Sequence, residues 1–441
     1  MGKTSPNSAA SIAWFREASP YIHAHRGKKM VLCLPGSMVA AERIDTLVSD
    51  LILLSHLGLQ LVLCFGLRSE LDAHLTSSNQ SASVVDDRRI TTDAALVGLL
   101  QAAGDMRARL EAQLSRGLPN TPMSGTHLSV CSGNFISAQP YGIHNGVDYL
   151  HTGTVRQVNA HSINSLLESG QLVVLPPIGY SPTGDVFNVK TEEIASEAAI
   201  ALNADKLVFF VDQLPIDETG ALIRQASSSE MEAAALQHGN IDIVSTLNYS
   251  VQSCKRGVAR VHLVVSNKPD ALLKELFTRD GGGTLVTAGL WESIRQAQIQ
   301  DVGGIIKLIE PLQQDGSLVA RSREQLELDI DNFMVCERDG MIVACAALFI
   351  PDEDTDGYAQ IACVATHEDY QGAGRADKLL LALEKRARTA GITRVLLLST
   401  RAAHWFIQRG FNEVDLQTLP AGRQALYNAQ RNSKVFEKLL A

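Results

Sequence analysis

No two cysteines in this chain are spaced as Cys-x-x-Cys, and the seven present (Cys33, Cys64, Cys131, Cys254, Cys336, Cys345 and Cys363) are odd in number. No zinc site or disulfide framework is readable, and the usage is that of a reduced, cytosolic protein. The chain also lacks any dense Lys/Arg block. With 39 basic against 48 acidic residues its net charge is −9, which makes nucleic acid and anionic membrane surfaces poor partners. No apolar run reaches the ~20 residues of a membrane span. The most apolar stretch, Leu47 to Leu67, is broken by Ser49, Asp50, His56 and Gln60. The N-terminus shows no basic-then-apolar signal peptide. Met1-Gly2 is followed by Pro6 where a myristoylation signal asks for Ser or Thr. Internal repeats, low-complexity tracts and long linkers are missing too, so the expectation is a cytoplasmic globular protein.

What is there is ordinary in bulk and specific in detail. The 441 residues, 45% hydrophobic and 20% charged, suggest two to four domains at roughly 100–200 residues each. The first part alternates apolar strands with helical stretches. Lys29 to Leu34 is an apolar run ending at Pro35-Gly36, a helix pattern follows through Ile44 to His56, and Leu59 to Phe65 stops at Gly66. The cadence recurs at Leu172–Leu175, Lys206–Val211 and Arg260–Val265. Strand, turn, helix, strand is the signature of a parallel sheet covered by helices on both faces, with ligands at the carboxyl ends of its strands. This domain is expected to close near Gly281 to Thr284.

The style then changes. Ile294–Leu312 and Glu324–Phe333 read as amphipathic helices. Phe333 to Arg338, a turn at Asp339-Gly340, and Met341 to Phe349 read as an antiparallel hairpin. A strand at Ile361–Val364, a helix at Gly374–Thr389, a strand at Val395–Thr400 and a short helix at His404–Arg409 follow. The expected division is a domain over 1–285, a connector over 286–294 and a second domain over 295–441.

The most specific chemistry lies between Val364 and Ala376, where a strand ends, the chain turns through Gln371-Gly372-Ala373-Gly374, and a helix opens with Leu379, Leu380 and Leu383. A glycine-rich turn at a helix N-terminus offers unpaired N–H groups and the positive end of the helix dipole to an anion. Arg375 adds charge. Gln371, Gly374 and Ala376 fit Gln-x-x-Gly-x-Ala, which resembles the acetyl-coenzyme A pyrophosphate loop of GNAT acyltransferases. Trp405-Phe406 with Gly410-Phe411 resembles that family's second landmark.

Taken whole, the chain resembles the bacterial N-acetylglutamate synthases, from about Ile12 to the C-terminus. The carrying segments are Ala18-Ser-Pro-Tyr-Ile22, Ser132-Gly-Asn-Phe135, Gly146-Val-Asp-Tyr149, Ala204-Asp-Lys-Leu207, Glu275-Leu-Phe-Thr278, Arg321-Ser-Arg-Glu-Gln-Leu326 and Tyr427 to Lys434. The resemblance implies an α/β chain: an N-terminal amino-acid-kinase-like three-layer α/β/α domain joined to a C-terminal GNAT α+β acetyltransferase domain. It implies acetyl transfer from acetyl-CoA to the L-glutamate amine without an acyl-enzyme, feedback by L-arginine, no metal, and a homo-hexamer.

Residue by residue, the resemblance places the loop Val364, Gln371, Gly372, Gly374, Arg375 and Ala376 on the cofactor. It puts Cys363 and the splayed strand end near the thioester, and Ser399 near the sulfur. Arg321, Arg323, Arg431 and Lys434 are the cations for the two glutamate carboxylates. The family's general-base Glu corresponds here to Gln360, and a carboxamide cannot accept a proton near neutral pH. Asp352, Glu353, Asp354, Asp356 and Glu368 are other acids within reach in sequence. Phe406 stands where many GNAT enzymes carry a tyrosine that protonates the leaving thiolate. As a bare residue, Cys363 reads as a small buried thiol and Ser399 equally as a strand-end hydroxyl.

In the first domain, a working kinase needs a lysine and a Gly-Gly turn after the first strand, and Leu32 to Ser37 has neither. The resemblance instead implies an arginine pocket at Tyr21 (after the N-terminal helix), Lys206, His262, Glu275 and Gly283. Glu275 would pair the guanidinium, and backbone around Gly283 would hold the amino-acid end. A catalytically weak arginine-binding regulator is the alternative that Gln360 and Phe406 keep open.

Overall fold

The computed structural model describes residues 8–40, 44–79, 83–118, 120–125, 128–237, 241–288, 292–338, 340–351, 357–372, 374–419, 424, 427 and 433–440. The chain divides into two compact units, Met1–Gly289 and Leu290–Ala441.

In the first unit, helix α1 (Ser8–His25) precedes β1 (Lys29–Leu34), α2 (Ile44–His56) and β2 (Gln60–Phe65). The sheet is completed by β3 (Val130–Cys131), β4 (Leu172–Leu175), β5 (Lys206–Val211), β6 (Gln225–Ser227), β7 (Arg260–Val265) and β8 (Thr284–Thr287). Their order is β6-β8-β7-β5-β1-β2-β4-β3. The core shows why these apolar runs are buried strands. Met30, Leu32 and Leu34 enter one cluster with Leu47, Leu51 and Leu54 of α2. Val31 and Cys33 enter another, with Ile194, Ala195 and Ala198 of α3 (Thr191–Ala201). Strand alternation therefore feeds two helical layers, the expected three-layer arrangement. The domain does not close at Gly281 to Thr284: β8 follows, antiparallel to β7. A small closed barrel of Ile136–Pro140, Thr152–Val158, Ile178–Tyr180 and Val186–Val189 was also not legible in the sequence. Its strands are short, and their pairing is set by tertiary contact.

The second unit begins with β9 (Glu292–Gln296), then α5 (Val302–Gln314) and α6 (Arg323–Leu328), with α4 (Ala271–Phe277) belonging to the first unit. Next come β10 (Phe333–Arg338), β11 (Met341–Phe349), β12 (Tyr358–Thr366), α7 (Arg375–Thr389), β13 (Arg394–Ser399), α8 (Ala403–Ile407), β14 (Asn412–Val414) and β15 (Lys434–Leu439). The sheet order is β9-β10-β11-β12-β13-β15-β14, and only β12 and β13 pair in parallel. The hairpin β10–β11 is as expected. The helix expected over Ile294–Leu312 is corrected: its first residues pair with β10, from Ile294 opposite Cys336 to Gln296 opposite Met334. Arg295 then bonds Asp301 at 2.7 Å, and a capping box at Gln298 and Asp301 starts the helical segment. Strand pairing overrides a locally helical pattern here. The second expected helix ends at Leu328, and Phe333 already belongs to β10. The stretch expected as connector, 286–294, carries the end of β8 and the start of β9.

Candidate active site

The parallel ladder between β12 and β13 runs from Tyr358–Arg394 to Ile361–Leu397 and stops there. On its other edge β12 slips register against β11 between Cys345 and Ala347. Cys363, at this irregularity, has φ of +52°, a conformation that costs a non-glycine residue about 1–2 kcal/mol. Two residues past the last rung on each strand, Cys363 and Ser399 stand at the mouth of the opening. Past that rung the backbone of β12 is no longer paired with β13. The Cys363 side chain is buried with Val302, Ile305 and Leu308 of α5, surroundings of an inert thiol rather than a nucleophile. Its carbonyl accepts the Cys345 thiol at 3.5 Å. Burial, with Cys363 adding to it, pushes the Cys345 thiol far above its ordinary range.

Gln360 pairs with Phe349 on one side and Leu396 on the other, so its side chain shares a face with both. Its Oε1 is buried without a hydrogen-bond partner. The guanidinium of Arg321 lies 4.9 Å over the Phe349 ring and bonds Asp329 at 3.1 Å, while its Nε is buried and unpartnered. Arg321 and Gln360, 39 positions apart, are thus brought to one face with hydrogen-bonding capacity left over. Arg323 is not: its side chain is 72% exposed and paired with Glu327 along the surface of α6. Lys434 lies opposite Ser399 in the ladder but is 58% exposed and paired with Glu413 at 2.9 Å. Arg431, Asp352, Glu353, Asp354 and Asp356 fall outside the described residues, and Glu368 is exposed on a short turn. Ser399 Oγ accepts the Ala402 N–H at 3.1 Å, which leaves its own proton to donate. Phe406 is buried against Phe411 and Phe436, with ring centroids at 5.7 and 6.3 Å.

Beside this opening, Gly372 and Gly374 take φ of +81° and +71°, and no atom lies within 4 Å of where a Cβ would point on either. Gly374 is the N-cap of α7. Such an entry leaves the N–H groups of Arg375 and Ala376 facing solvent as an anion cradle. Gln371 Nε2 braces the turn on the Thr366 carbonyl at 3.4 Å, and Val364 packs half-buried against the α7 core. The Arg375 side chain differs from expectation. It donates to both carboxylate oxygens of Glu292 and to the Tyr370 carbonyl at 2.7 Å. Arg375 and Arg338 flank the Tyr370 ring at 5.2 and 5.1 Å. The arginine braces the loop, and its backbone faces the anion site. Glu292, Arg338 and Tyr370 escaped sequence reasoning because Glu292 lay in the expected connector and its strand pairing with Arg338 was not foreseen.

In the first unit the structure gathers a second cluster. Lys206 Nζ lies 3.5 Å from His262 Nε2, and His262 Nδ1 lies 2.8 Å from Glu275 Oε1. Lysine only donates, so His262 is assigned as the tautomer that accepts at Nε2 and donates from Nδ1 to Glu275. Gly282 and Gly283 N–H groups donate to Glu275 Oε2 at 2.7 and 2.8 Å. The backbone donor expected at Gly283 for an amino-acid end is therefore engaged by Glu275 itself. A Cβ at Gly283 would meet the Leu263 carbonyl at 2.1 Å. Burial, then Lys206, lowers the His262 pKa. Burial works against the Glu275 charge, but His262 and the two glycine N–H groups outweigh it and hold its carboxyl below the usual range. Tyr21 lies within α1, not after it, and packs against the adjoining core. His25, missed in the sequence, joins at the end of α1: its Nε2 bonds the Leu276 carbonyl at 2.8 Å, and burial and then Lys206 bring its pKa down to about 4.

A cavity of about 630 Å³ opens at the carboxyl ends of β1, β2 and β5, lined by Gly36, Gly66, Arg88, Lys190 and Asp212 among others. Its cations are engaged by the chain's own carboxylates: Lys190 pairs with Asp87, Arg88 with Glu193 and Arg89 with Asp72. No lysine follows the Gly36 turn to receive a γ-phosphate. Among the described residues there is no group of acids, histidines and cysteines that could hold a metal, and no helix is long and apolar enough to cross a membrane.

Residues 28–264 match the amino acid kinase family and residues 304–411 the acetyltransferase (GNAT) family. The chain is 45% identical over 431 residues to an amino-acid acetyltransferase of Pseudomonas fluorescens strain Pf0-1, covering 97% of this chain and 99% of that one. It is 44% identical over 430 residues to one from Azotobacter vinelandii, with the same coverage. Among solved structures, N-acetylglutamate synthase from Neisseria gonorrhoeae complexed with coenzyme A and L-arginine superposes with a TM-score of 0.88 at 33% identity, over 97% of this chain and 99% of that one.

Proposed function

This chain belongs to the amino-acid acetyltransferases, and on that footing we propose that it catalyses acetyl-CoA plus L-glutamate giving N-acetyl-L-glutamate plus CoA, the first step of arginine biosynthesis, under feedback inhibition by L-arginine. The observation that carries the reading is the parting of β12 from β13 at Ile361–Leu397, beside a glycine-lined helix entry. Two structures of one relative support the ligands: the Neisseria gonorrhoeae enzyme is complexed with coenzyme A and L-arginine in one and with coenzyme A and N-acetyl-glutamate in the other.

In this reading the cofactor pyrophosphate rests on the N–H groups from Gly372 to Ala376, and the pantetheine arm enters between β12 and β13. N–H groups around Cys363 and Val364, released from the ladder, hold the thioester oxygen as negative charge develops on it. Arg321 takes a glutamate carboxylate with its unpartnered Nε, and Arg431 is the expected second cation. Gln360 Oε1 accepts an N–H of the substrate amine and aims it, but cannot remove its proton. One ammonium proton therefore passes to water and the free amine nitrogen bonds to the acetyl carbon; as the adduct collapses the C–S bond breaks, the nitrogen gives up a second proton, and the leaving thiolate gains one through Ser399, which is reprotonated in turn, or through solvent. Arginine binds at Lys206, His262, Glu275 and Gly283, its guanidinium on Glu275. A cytoplasmic homo-hexamer is part of the proposal, checked by light scattering.

CoA release from acetyl-CoA with L-glutamate, followed across pH 6 to 10 with and without L-arginine, tests it. Glutamate-dependent turnover that rises with pH and falls with arginine is expected. Gln360→Glu should be faster by roughly 10²-fold or more near neutrality, with a lower pH optimum, because it supplies a base. Arginine binding without any turnover would instead favour the regulatory reading that Gln360 and Phe406 motivate.

A further inference from the structure

Asp50 stands in the apolar face of α2 between Leu47 and Leu51 and is only 6% exposed. Its Oδ2 has no hydrogen-bond partner. The carboxylate borders a cavity of about 250 Å³ whose other walls include Leu47, Phe210, Leu272, Asp212 and, from an exposed loop, Lys268. Phe210 lies near the end of β5, Asp212 directly follows it, and Leu272 lies in the first turn of α4, so the cavity lies between α2 and the β7–α4 connection. Its volume falls below the ~300–1,000 Å³ of pockets that take drug-sized ligands, so it admits a small metabolite.

A buried carboxylate without a partner is expensive to keep. Burial, and then the charge of Asp270, push its pKa up to about 7. Removing this cost would take either a hydrophobic residue or a cation supplied from outside. The remaining chemistry says which cation. Among the described residues no third acid or histidine completes a metal cage. Asp212 already accepts the Ser266 hydroxyl at 2.7 Å, whereas Asp50 Oδ2 has no donor among the described residues. The walls include Leu47, Phe210 and Leu272, and the Lys268 side chain makes no ion pair or hydrogen bond among the described residues.

We infer that this cavity is a second effector site, which binds a small α-amino acid with an apolar side chain: the ammonium on Asp50, the side chain against Leu47, Phe210 and Leu272, and the carboxylate toward Lys268. It is separate from the arginine cluster, although α4 borders both, carrying Leu272 at one end and Glu275 near the other.

The test is thermal unfolding of the whole chain with millimolar L-leucine, L-valine or L-methionine, with isopentylamine, which lacks the carboxylate, and with 4-methylpentanoate, which lacks the amine. At a few times its dissociation constant, at least one amino acid should raise Tm by about 2–4 °C. Isopentylamine should raise it less and 4-methylpentanoate not at all. Asp50→Asn should abolish the rise. Lys268→Ala, at an exposed position, should weaken the amino acid about tenfold and leave isopentylamine unchanged. The rise should persist in Glu275→Gln, which disables the arginine cluster. The inference is overturned if no amino acid raises Tm, if 4-methylpentanoate acts as well as the amine, if Glu275→Gln removes the rise, or if it survives in Asp50→Asn. None of these readouts depends on acetyl transfer.

Discussion

Arg375 Nε donates to both carboxylate oxygens of Glu292 at 2.9 Å, across 83 positions of sequence. The first helical residue of the anion loop is thereby tied to the edge strand that opens the second unit. The side chains are 10% and 20% exposed, so breaking the pair strands a largely desolvated charge. Glu292→Gln should cost roughly 2–3 kcal/mol in urea unfolding, discounted for the exposure that remains. It should also raise KM for acetyl-CoA more than it lowers kcat, because it loosens the cradle without touching the reacting atoms. An unchanged KM would leave the pair a purely structural brace.

Gly374 calls for its own variant. Its φ of +71° is strained for any residue with a Cβ, although the space beside it is open. Gly374→Ala should therefore cost about 1–2 kcal/mol through conformation alone. Because the same turn positions the anion donors, KM for acetyl-CoA should rise up to roughly tenfold, read from initial rates.

Glu275 is the charge a guanidinium would meet. Glu275→Gln keeps the shape and removes that charge, so the concentration of L-arginine giving half-inhibition should rise by about 100-fold. Calorimetric titration should show the same loss. Gly283→Ala should be harsher, since its Cβ would collide with the Leu263 carbonyl at 2.1 Å.

His25 should show in the pH dependence of stability. Its folded pKa, about 4, lies below the ordinary 6.5. The unfolded chain therefore takes up the proton first as pH falls, and stability present above pH 6.5 is lost progressively down to about pH 4. The difference between wild type and His25→Gln should change by roughly 3 kcal/mol across that window.

Asp50 has the opposite sign. Its folded pKa of about 7 lies above the ordinary 3.8, so the folded state holds the proton longer and loses stability as pH rises from about 4 to 7. In the absence of any amine, Asp50→Asn should match wild type near pH 4 and exceed it by about 3–4 kcal/mol at pH 8, read from urea unfolding. A flat difference would mean the carboxylate has a partner in solution.

Much of the fold was legible because its signals are local. Helix α2 was read from Ile44 to His56 with the bounds it takes in the structure, since four leucine and valine positions repeat on one face within 13 residues. The loop at Gln371–Ala376 was legible for the same reason: strand, glycine turn and helix follow one another directly. The sequence reading split β9 between a connector and a helix starting at Ile294, because nothing within Glu292–Gln296 announces that its partner is Phe333–Arg338. It also assigned Arg375 to phosphate, since Glu292 was not yet its neighbour, and it grouped Arg321 with Arg323, although Arg321 precedes α6 and pairs with Asp329 while Arg323 lies on α6 and pairs with Glu327.

The sequence by itself determined the two domain styles, the glycine-rich helix entry, and the replacements at Gln360 and Phe406, because each is written in a few consecutive residues or in residue identity. Only the tertiary structure decided which groups meet. Lys206 reaches His262 across 56 positions, Arg321 comes over Phe349, and Asp50 Oδ2 is left without a partner among the described residues. Periodicity specifies which face of an element is buried, but not what is buried against it. That is settled when strands pair and helices pack, and the electrostatics of each site follow from the packing.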